Sequence, residues 1–135
     1  MIRHSRIRRG RRGGVLTMEL VLTLPILGIL LMGLFEFSLL FFARADVVAA
    51  SRAGARKATL HNTTIADIED EVWRSLPRHL LRAATVDADL DAAPGDLVTV
   101  GVRVPMSSAS PDLLWPIGFG LEGRDLYCET RMAKE

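Results

Sequence analysis

The chain has few of the residues that build disulfides, metal centres or catalytic sites. Cys128 is the only cysteine among 135 residues, which excludes an internal disulfide. We expect this thiol to be buried on a strand, the alternative being an intermolecular link. The three histidines share no ligand spacing with one another or with Cys128, so the minimum set for a zinc site is missing. No HExxH pair or nucleophile elbow is present. We therefore predict no enzyme, no cofactor and no metal.

Acidic residues are missing from the first fourteen positions, which hold six arginines. Without these arginines the chain carries 11 basic and 16 acidic residues, a net charge of −5. A nucleic-acid partner requires a lasting basic footprint, so none is expected. Basic residues collect on the cytoplasmic side of membrane segments. We interpret the arginines as a topology signal that keeps the N-terminus inside.

A long uncharged run follows the arginines. It extends over Leu20–Phe35 and resumes after Glu36 as far as Ala43. That is enough for a bilayer-spanning helix of roughly 20 residues. We predict a membrane helix over 15–43 and helix throughout as far as Thr59.

The junction before this run has the form of a processing site. A cut between Gly14 and Val15 would make Glu19 the fifth residue of the mature chain. Glycine has no side chain, so a protease can approach its backbone closely. The new amine, with an ordinary pKa of about 8, would pair with Glu19 of a neighbouring helix and set the axial register. The alternative is that Glu19 only lies in the headgroup layer.

Two further residues of the apolar run are candidates for special roles. An intramembrane carboxylate is costly, so Glu36 either lies at the membrane interface or requires a partner within the bilayer. Pro25 cannot donate to the carbonyl of Val21 and is expected to kink or loosen the helix. The kink is either a simple bend or a soft point that changes when subunits pack.

Residues 44–62 are predicted to form a helical stem that leads out of the membrane. Small residues let helix backbones approach closely, so we expect this stem to pack against other helices in an assembly. Helix propensity alone explains the alanines almost as well. The residues assigned to stem packing are Ala49, Ala50, Arg52, Gly54, Ala55 and Arg56.

Residues 63–135 are predicted to form a small α+β domain. Thr64 and Asp67 make a capping pair for an amphipathic helix that ends before Pro77. Alternating apolar residues predict strands around 86–90, 98–104 and 126–132, the first two joined by a turn at 94–96. The predicted fold is therefore α+β: a long N-terminal transmembrane helix with an extended stem, one amphipathic helix and a three-stranded antiparallel sheet.

The segment Leu113–Leu121 is too apolar for a solvated loop and too broken by proline and glycine for a regular element. We expect it to pack over the sheet. The alternative is an exposed contact for another component of an assembly or for the membrane surface.

Three segments together resemble the TadE family of pseudopilin-like proteins, which belong to the tight-adherence (Flp) pilus machinery. They are Arg12 through Glu19, the apolar run with Pro25, and the Ala49–Ala58 stem, which is similar to the family's Ala-Ala-Arg-x-Gly-Ala-Arg pattern. Val15 and Ser51 depart from the pattern, but neither changes the spacing from Gly14 to Glu19.

The resemblance implies a minor pseudopilin with a basic prepilin-type leader at 1–14. Such a protein is cut by a prepilin peptidase and packs its first helix in a pilus or secretion filament. The implied partners are the peptidase, other pilins or pseudopilins, an inner-membrane assembly platform, a secretion ATPase acting indirectly, and the lipid bilayer. The implied location is the bacterial inner membrane, with a single pass, a cytoplasmic N-terminus and the C-terminal domain outside.

Two alternatives to a pseudopilin follow from the same residues. In the first, Ala43-Arg44-Ala45 is an export cleavage site and the remainder is a periplasmic binding module. In the second, the chain is an unprocessed membrane anchor with a small sensor-like domain. Both leave the spacing from Gly14 to Glu19 as coincidence.

Overall fold

The computed structural model describes residues 12–90, 93 and 95–134. Helices and strands follow in the order α1 Arg12–Ala58, α2 Ile65–Ser75, α3 Arg78–Leu81, β1 Thr85–Asp89, β2 Leu97–Pro105, α4 Met106–Ala109 and β3 Asp125–Ala133, with a short 3-10 turn at Trp115–Ile117 before β3. The predicted α+β class is confirmed, with one long apolar N-terminal helix, shorter helices and a three-stranded antiparallel sheet.

Helix α1 dominates the dimensions of the molecule. Its 47 residues span about 70 Å at 1.5 Å per residue. The helix continues through Pro25, and a kink there stays a prediction. The hydroxyls of Thr23 and Ser38 donate to the carbonyls of Glu19 and Leu34 at 2.8 and 2.7 Å. Hydroxyls in an apolar helix are thus satisfied by their own backbone.

The sheet has the order β1-β2-β3, and both pairs are antiparallel. Val86 pairs with Val102, which pairs on its other side with Cys128. The valines of β2 all point to one face and are fully buried: Val98, Val100, Val102 and Val104. The other face is turned to solvent, as expected of an antiparallel sheet covered on one side. Cys128 is a free, half-buried thiol beside this core.

The outer part of α1 covers the valine face together with α2. Val47, Ala50 and Ala55 of α1 are buried in one cluster with the valines and with Ile68 and Val72 of α2. The predicted stem therefore forms one side of the domain's core. The hydroxyls of Ser51, which is buried, and Thr130, which is half-buried, hydrogen-bond each other and join α1 to β3.

Helix α2 begins with a complete capping box. The Thr64 hydroxyl accepts from the Asp67 N–H at 3.3 Å, and the Asp67 carboxylate accepts from the Thr64 N–H at 3.0 Å. The helix ends at Ser75, two residues before Pro77. Its buried side chains are Ile68 and Val72. The cap fixes where the helix starts and hence which face meets α1.

We expect the capping box to add a pH dependence to the stability of the domain. Hydrogen bonds from the backbone and hydroxyl of Thr64 lower the pKa of Asp67. A carboxyl whose pKa is lower in the folded state stabilises the fold above its unfolded pKa of about 4 and loses that contribution as the pH falls further. The free energy of unfolding, measured by circular dichroism at pH values from 6 to 2, should therefore decrease less steeply with falling pH in Asp67→Asn than in the wild type. An equally steep decrease in both proteins would contradict the role of the cap.

Candidate assembly and membrane interface

The predicted processing site lies at the start of α1. Gly14 and Val15 are in its first turn, while residues 1–11 of the predicted leader lie outside the described residues. Glu19 follows one turn later with an exposed side chain. Within residues 12–90, 93 and 95–134, no group pairs with its carboxylate. The charge is thus free to meet a group from outside the chain.

The first half of α1 exposes apolar side chains on all sides. Thr17–Ala58 contains a window long and apolar enough to cross a membrane, and only 11% of that window is buried. A core helix of a soluble protein would be mostly covered. The exposed large side chains are Met18, Leu20, Val21, Leu22, Leu24, Ile26, Leu27, Ile29, Leu30, Leu31, Met32, Leu34, Phe35, Phe37, Phe41 and Phe42. This pattern is consistent with anchoring in a membrane.

Within residues 17–42 of α1 only Glu36 is buried, with 2% of its surface exposed. Its Oε2 accepts a hydrogen bond of 3.1 Å from the backbone N–H of Leu114, 78 residues away in sequence. Its Oε1 is buried and has no hydrogen-bond partner among the described residues. The structure shows the carboxylate covered and hydrogen-bonded within the chain, and both expectations for its position in a membrane stay predictions.

The apolar segment Leu113–Leu121 supplies this cover, and the expectation that it packs over the sheet is wrong. Leu114 and Leu121 are buried, but they lie outside the core cluster of the sheet. Leu114 approaches α1 so closely that a side chain on Gly33 would lie 3.7 Å from its Cδ1. On α1, Glu36 offers a hydrogen-bond acceptor and Gly33 offers space for this segment.

Glu36→Ala is expected to loosen this segment. The change leaves the Leu114 N–H without its acceptor, which costs about 1–3 kcal/mol for a buried group. We expect the Leu114 amide to exchange about 10 to 100 times faster, measured by hydrogen exchange on the full chain in detergent micelles. Glu36→Gln keeps an acceptor oxygen and serves as the matched control. Unchanged exchange in Glu36→Ala would show that the hydrogen bond does not hold the segment.

Comparison with known families places these features in context. A family model described as TadE-like protein matches residues 14–56. This segment is similar to TadE-like proteins. The resemblance stated from the sequence is thereby confirmed, and the match supports a component associated with a Tad pilus. Curated proteins and solved structures gave no match to the chain. The TadE-like family is known for pilus assembly and not as a family of enzymes, and it suggests contact with other pilus components.

Within the matched segment, the residues predicted for stem packing lie on two different faces of α1. Ala50, Gly54 and Ala55 are buried within the chain, against α2 and the sheet. The other face is exposed and carries Ala49, Arg52 and Arg56. Packing of the stem in an assembly stays a prediction. The residues available for it are those on the exposed face.

The outer face of the sheet is polar. Arg103 lies 3.5 Å from Asp125 and stacks over the Tyr127 ring, 5.4 Å from its centroid. Glu129 accepts from the Tyr127 hydroxyl at 3.0 Å, which raises the pKa of Tyr127, and from Arg131 at 2.6 Å. In the described part of the chain no group of three or more His, Cys, Asp or Glu residues could hold a metal ion. This face is a solvated surface whose polar side chains hydrogen-bond one another.

Sequence reasoning found Glu36 but missed its partner. The contact with Leu114 joins positions too far apart for any periodicity to link them. One signal was present: no charged residue stands in the nine positions between Asp112 and Glu122, and four of them are leucine or isoleucine while two are aromatic. A run of that composition indicates an apolar environment but does not say which part of the molecule provides it.

Proposed function

We propose that the chain is a minor pseudopilin of a Tad pilus, processed after Gly14 by a prepilin peptidase. Its first helix packs with helices of other pilins or pseudopilins during assembly. The protein is a substrate of the peptidase and a structural component, and it carries no catalytic role of its own. It sits in the bacterial inner membrane with its N-terminus in the cytoplasm and its sheet domain outside.

One observation carries the proposal: an apolar surface of membrane length bears an exposed carboxylate, Glu19, one turn after Gly14, and this carboxylate pairs with no group among the described residues. Both residues lie inside the segment that matches the TadE-like family. An exposed helix of this length is unstable in water and needs either lipid or other helices around it. A free carboxylate at its cytoplasmic end supplies the polar contact that apolar packing alone lacks.

The proposed partners follow from this surface. The peptidase acts at Gly14, and the new amine of Val15 pairs with a carboxylate from an adjacent helix. Other pilins or pseudopilins cover the apolar faces, assisted by an inner-membrane platform and indirectly by a secretion ATPase. The exposed stem face with Ala49, Arg52 and Arg56 continues this contact outside the bilayer.

An exported binding module cut after Ala45 fits the structure less well. Such a cut would remove Glu36, which holds the Leu114 N–H, and Ala43, which belongs to the core cluster. It would also uncover Leu114 and Leu121. An unprocessed anchor keeps every contact in the fold, so only the state of the N-terminus separates it from the proposed pseudopilin.

Gly14→Leu is expected to block processing, because a bulky side chain keeps the protease away from the backbone. The variant and the wild type are expressed in cells with a Tad system and a prepilin peptidase, and their intact masses are measured. We predict full-length chain for Gly14→Leu and a chain starting at Val15 for the wild type. Pilus number should fall to the level of a strain lacking the protein.

Gly28→Leu is the control for the change of glycine to leucine, since a Cβ there has no neighbour within 4 Å apart from the backbone of its own helix. It should be processed like the wild type. If Gly14→Leu gives the same mature mass as the wild type, the peptidase has no role at this position. If a strain lacking the protein makes normal pili, the chain is not a component of the pilus.

A further inference from the structure

The outer end of the membrane helix and the segment Leu113–Leu121 form one continuous apolar surface. We propose that this segment inserts into the outer leaflet of the bilayer and that lipid acyl chains fill the groove between it and α1. The proposal rests on the membrane anchoring in the proposed function. It adds a second point of contact with the membrane and a role for Glu36.

The groove has a volume of about 570 Å³ and is lined almost entirely by apolar atoms. Helix α1 contributes Ile29, Leu30, Gly33, Leu34 and Phe37, and the loop contributes Leu114, Ile117 and Phe119. Ile117 and Phe119 are 49% and 59% exposed, comparable to their neighbours on α1. Because helix and loop share the walls of one groove, lipid that surrounds the helix at this level also reaches the loop.

The level of the groove along α1 places it within the hydrocarbon. Gly33 and Phe37 lie about 21 and 27 Å along the axis from Glu19 at 1.5 Å per residue. The hydrocarbon core of a bilayer is about 30 Å thick. With Glu19 near the cytoplasmic boundary, the groove occupies the outer leaflet. Trp115 is 68% exposed on the same loop, and tryptophan is enriched at membrane interfaces.

Several backbone N–H groups of the loop have their hydrogen-bond acceptors within the loop itself. Irregular backbone within a bilayer must have its polar groups satisfied. The N–H groups of Ile117 and Phe119 donate to the Leu114 carbonyl at 3.1 and 3.2 Å, and that of Gly118 donates to the Trp115 carbonyl at 3.1 Å. Pro116 has no N–H. These three N–H groups therefore have protein acceptors and do not require water.

Glu36 completes this arrangement. Its Oε2 accepts from the Leu114 N–H, the donor at the base of the turn. In return the loop covers the carboxylate, which would otherwise face acyl chains at high cost. The charged residues Asp112 and Glu122 flank the apolar segment, so that its polar ends return towards the headgroups.

The two tryptophans allow a direct test, because Trp73 lies on α2 of the outer domain and Trp115 on the loop. Trp73→Phe leaves only Trp115, and Trp115→Phe leaves only Trp73. Each full-length variant is reconstituted at low protein-to-lipid ratio into phosphatidylcholine vesicles, with or without brominated acyl chains. Iodide is added on both sides. We expect brominated lipid to quench Trp115 at least twofold and iodide to quench it weakly, with the reverse for Trp73.

The outcomes separate this proposal from the membrane anchoring on which it rests. A chain that fails to float with the vesicles contradicts the anchoring itself. A chain that floats but whose Trp115 is quenched by iodide as strongly as Trp73 overturns the loop insertion alone. Shielding of Trp115 from both quenchers would assign the groove to another protein segment and would also overturn the proposal.

Discussion

Replacing Gly54 by leucine is expected to destabilise the outer domain, with the largest loss of folding stability of any change considered for this chain. Gly54 lies where α1 meets α2 and β2. A Cβ built there would be 2.6 Å from Cγ2 of Val72 and 3.1 Å from Cγ1 of Val100. Both neighbours are fully buried and branched at Cβ, so neither can rotate away freely.

The size of the effect follows from two opposing terms. Alanine stabilises a helix by about 1 kcal/mol relative to glycine, whereas overpacking a core costs about 1–3 kcal/mol or more. Gly54→Ala should therefore lose about 1 kcal/mol net, and Gly54→Leu at least about 3 kcal/mol. The free energy of unfolding of a typical domain is only about 5–15 kcal/mol in total. Urea unfolding of the full chain in detergent micelles, followed by tryptophan emission, measures both.

Two comparisons make this prediction specific to the close contact. Gly28→Ala adds the same methyl group where no atom lies within 4 Å, and it should leave the unfolding midpoint of the domain unchanged. Val72→Ala removes the nearest methyl group, so Gly54→Ala should cost less in that background than in the wild type. If Gly54→Ala raises the midpoint, helix propensity outweighs the contact and the account of this junction is wrong.

Glu19→Ala is expected to abolish association of the first helix with its partners. In the proposed assembly Glu19 pairs with the amine of a neighbouring chain among apolar helices. Removing one member of a buried ion pair costs about 3–5 kcal/mol, because the other charge is left unpaired. Association should weaken by more than about a hundredfold, and pili should be lost although the protein remains in the membrane.

The measurement is recovery of pilus components by pull-down with the tagged chain, together with a count of pili by electron microscopy. Asp70→Ala removes an exposed carboxylate from α2 and should behave like the wild type. The intact mass of Glu19→Ala shows whether it is still cleaved after Gly14, which separates a failure of processing from a failure of assembly. Normal pili and normal recovery of partners would refute the role of Glu19 in setting the register.

The elements that sequence could predict are those whose signal is local. Alternating valines identified β2, and the Thr64–Asp67 pair with Pro77 bounded α2, because each pattern reports its own geometry. The long uncharged run predicted in the same way the part of α1 that is long and apolar enough to cross a membrane. These parts of the fold depend on residues that are close in the chain.

The parts that sequence could not predict depend on distant contacts. The small residues of the stem suit close packing, but nothing in their spacing says whether the partner is another chain or the molecule's own sheet. Three of the six residues assigned to stem packing, Ala50, Gly54 and Ala55, proved to face α2 and the sheet. Similarly, the turn at Trp115–Ile117 has no periodicity, so its position on α1 was decided by Glu36 and Gly33, about 80 residues earlier.

The central claim, a membrane-anchored pseudopilin that begins at Val15, is tested most directly by the N-terminal sequence and intact mass of the protein recovered from native membranes. The account predicts a chain that starts at Val15. A start at Met1 would contradict processing and leave a permanent anchor. A start at Asp46 would contradict the membrane helix as part of the mature protein.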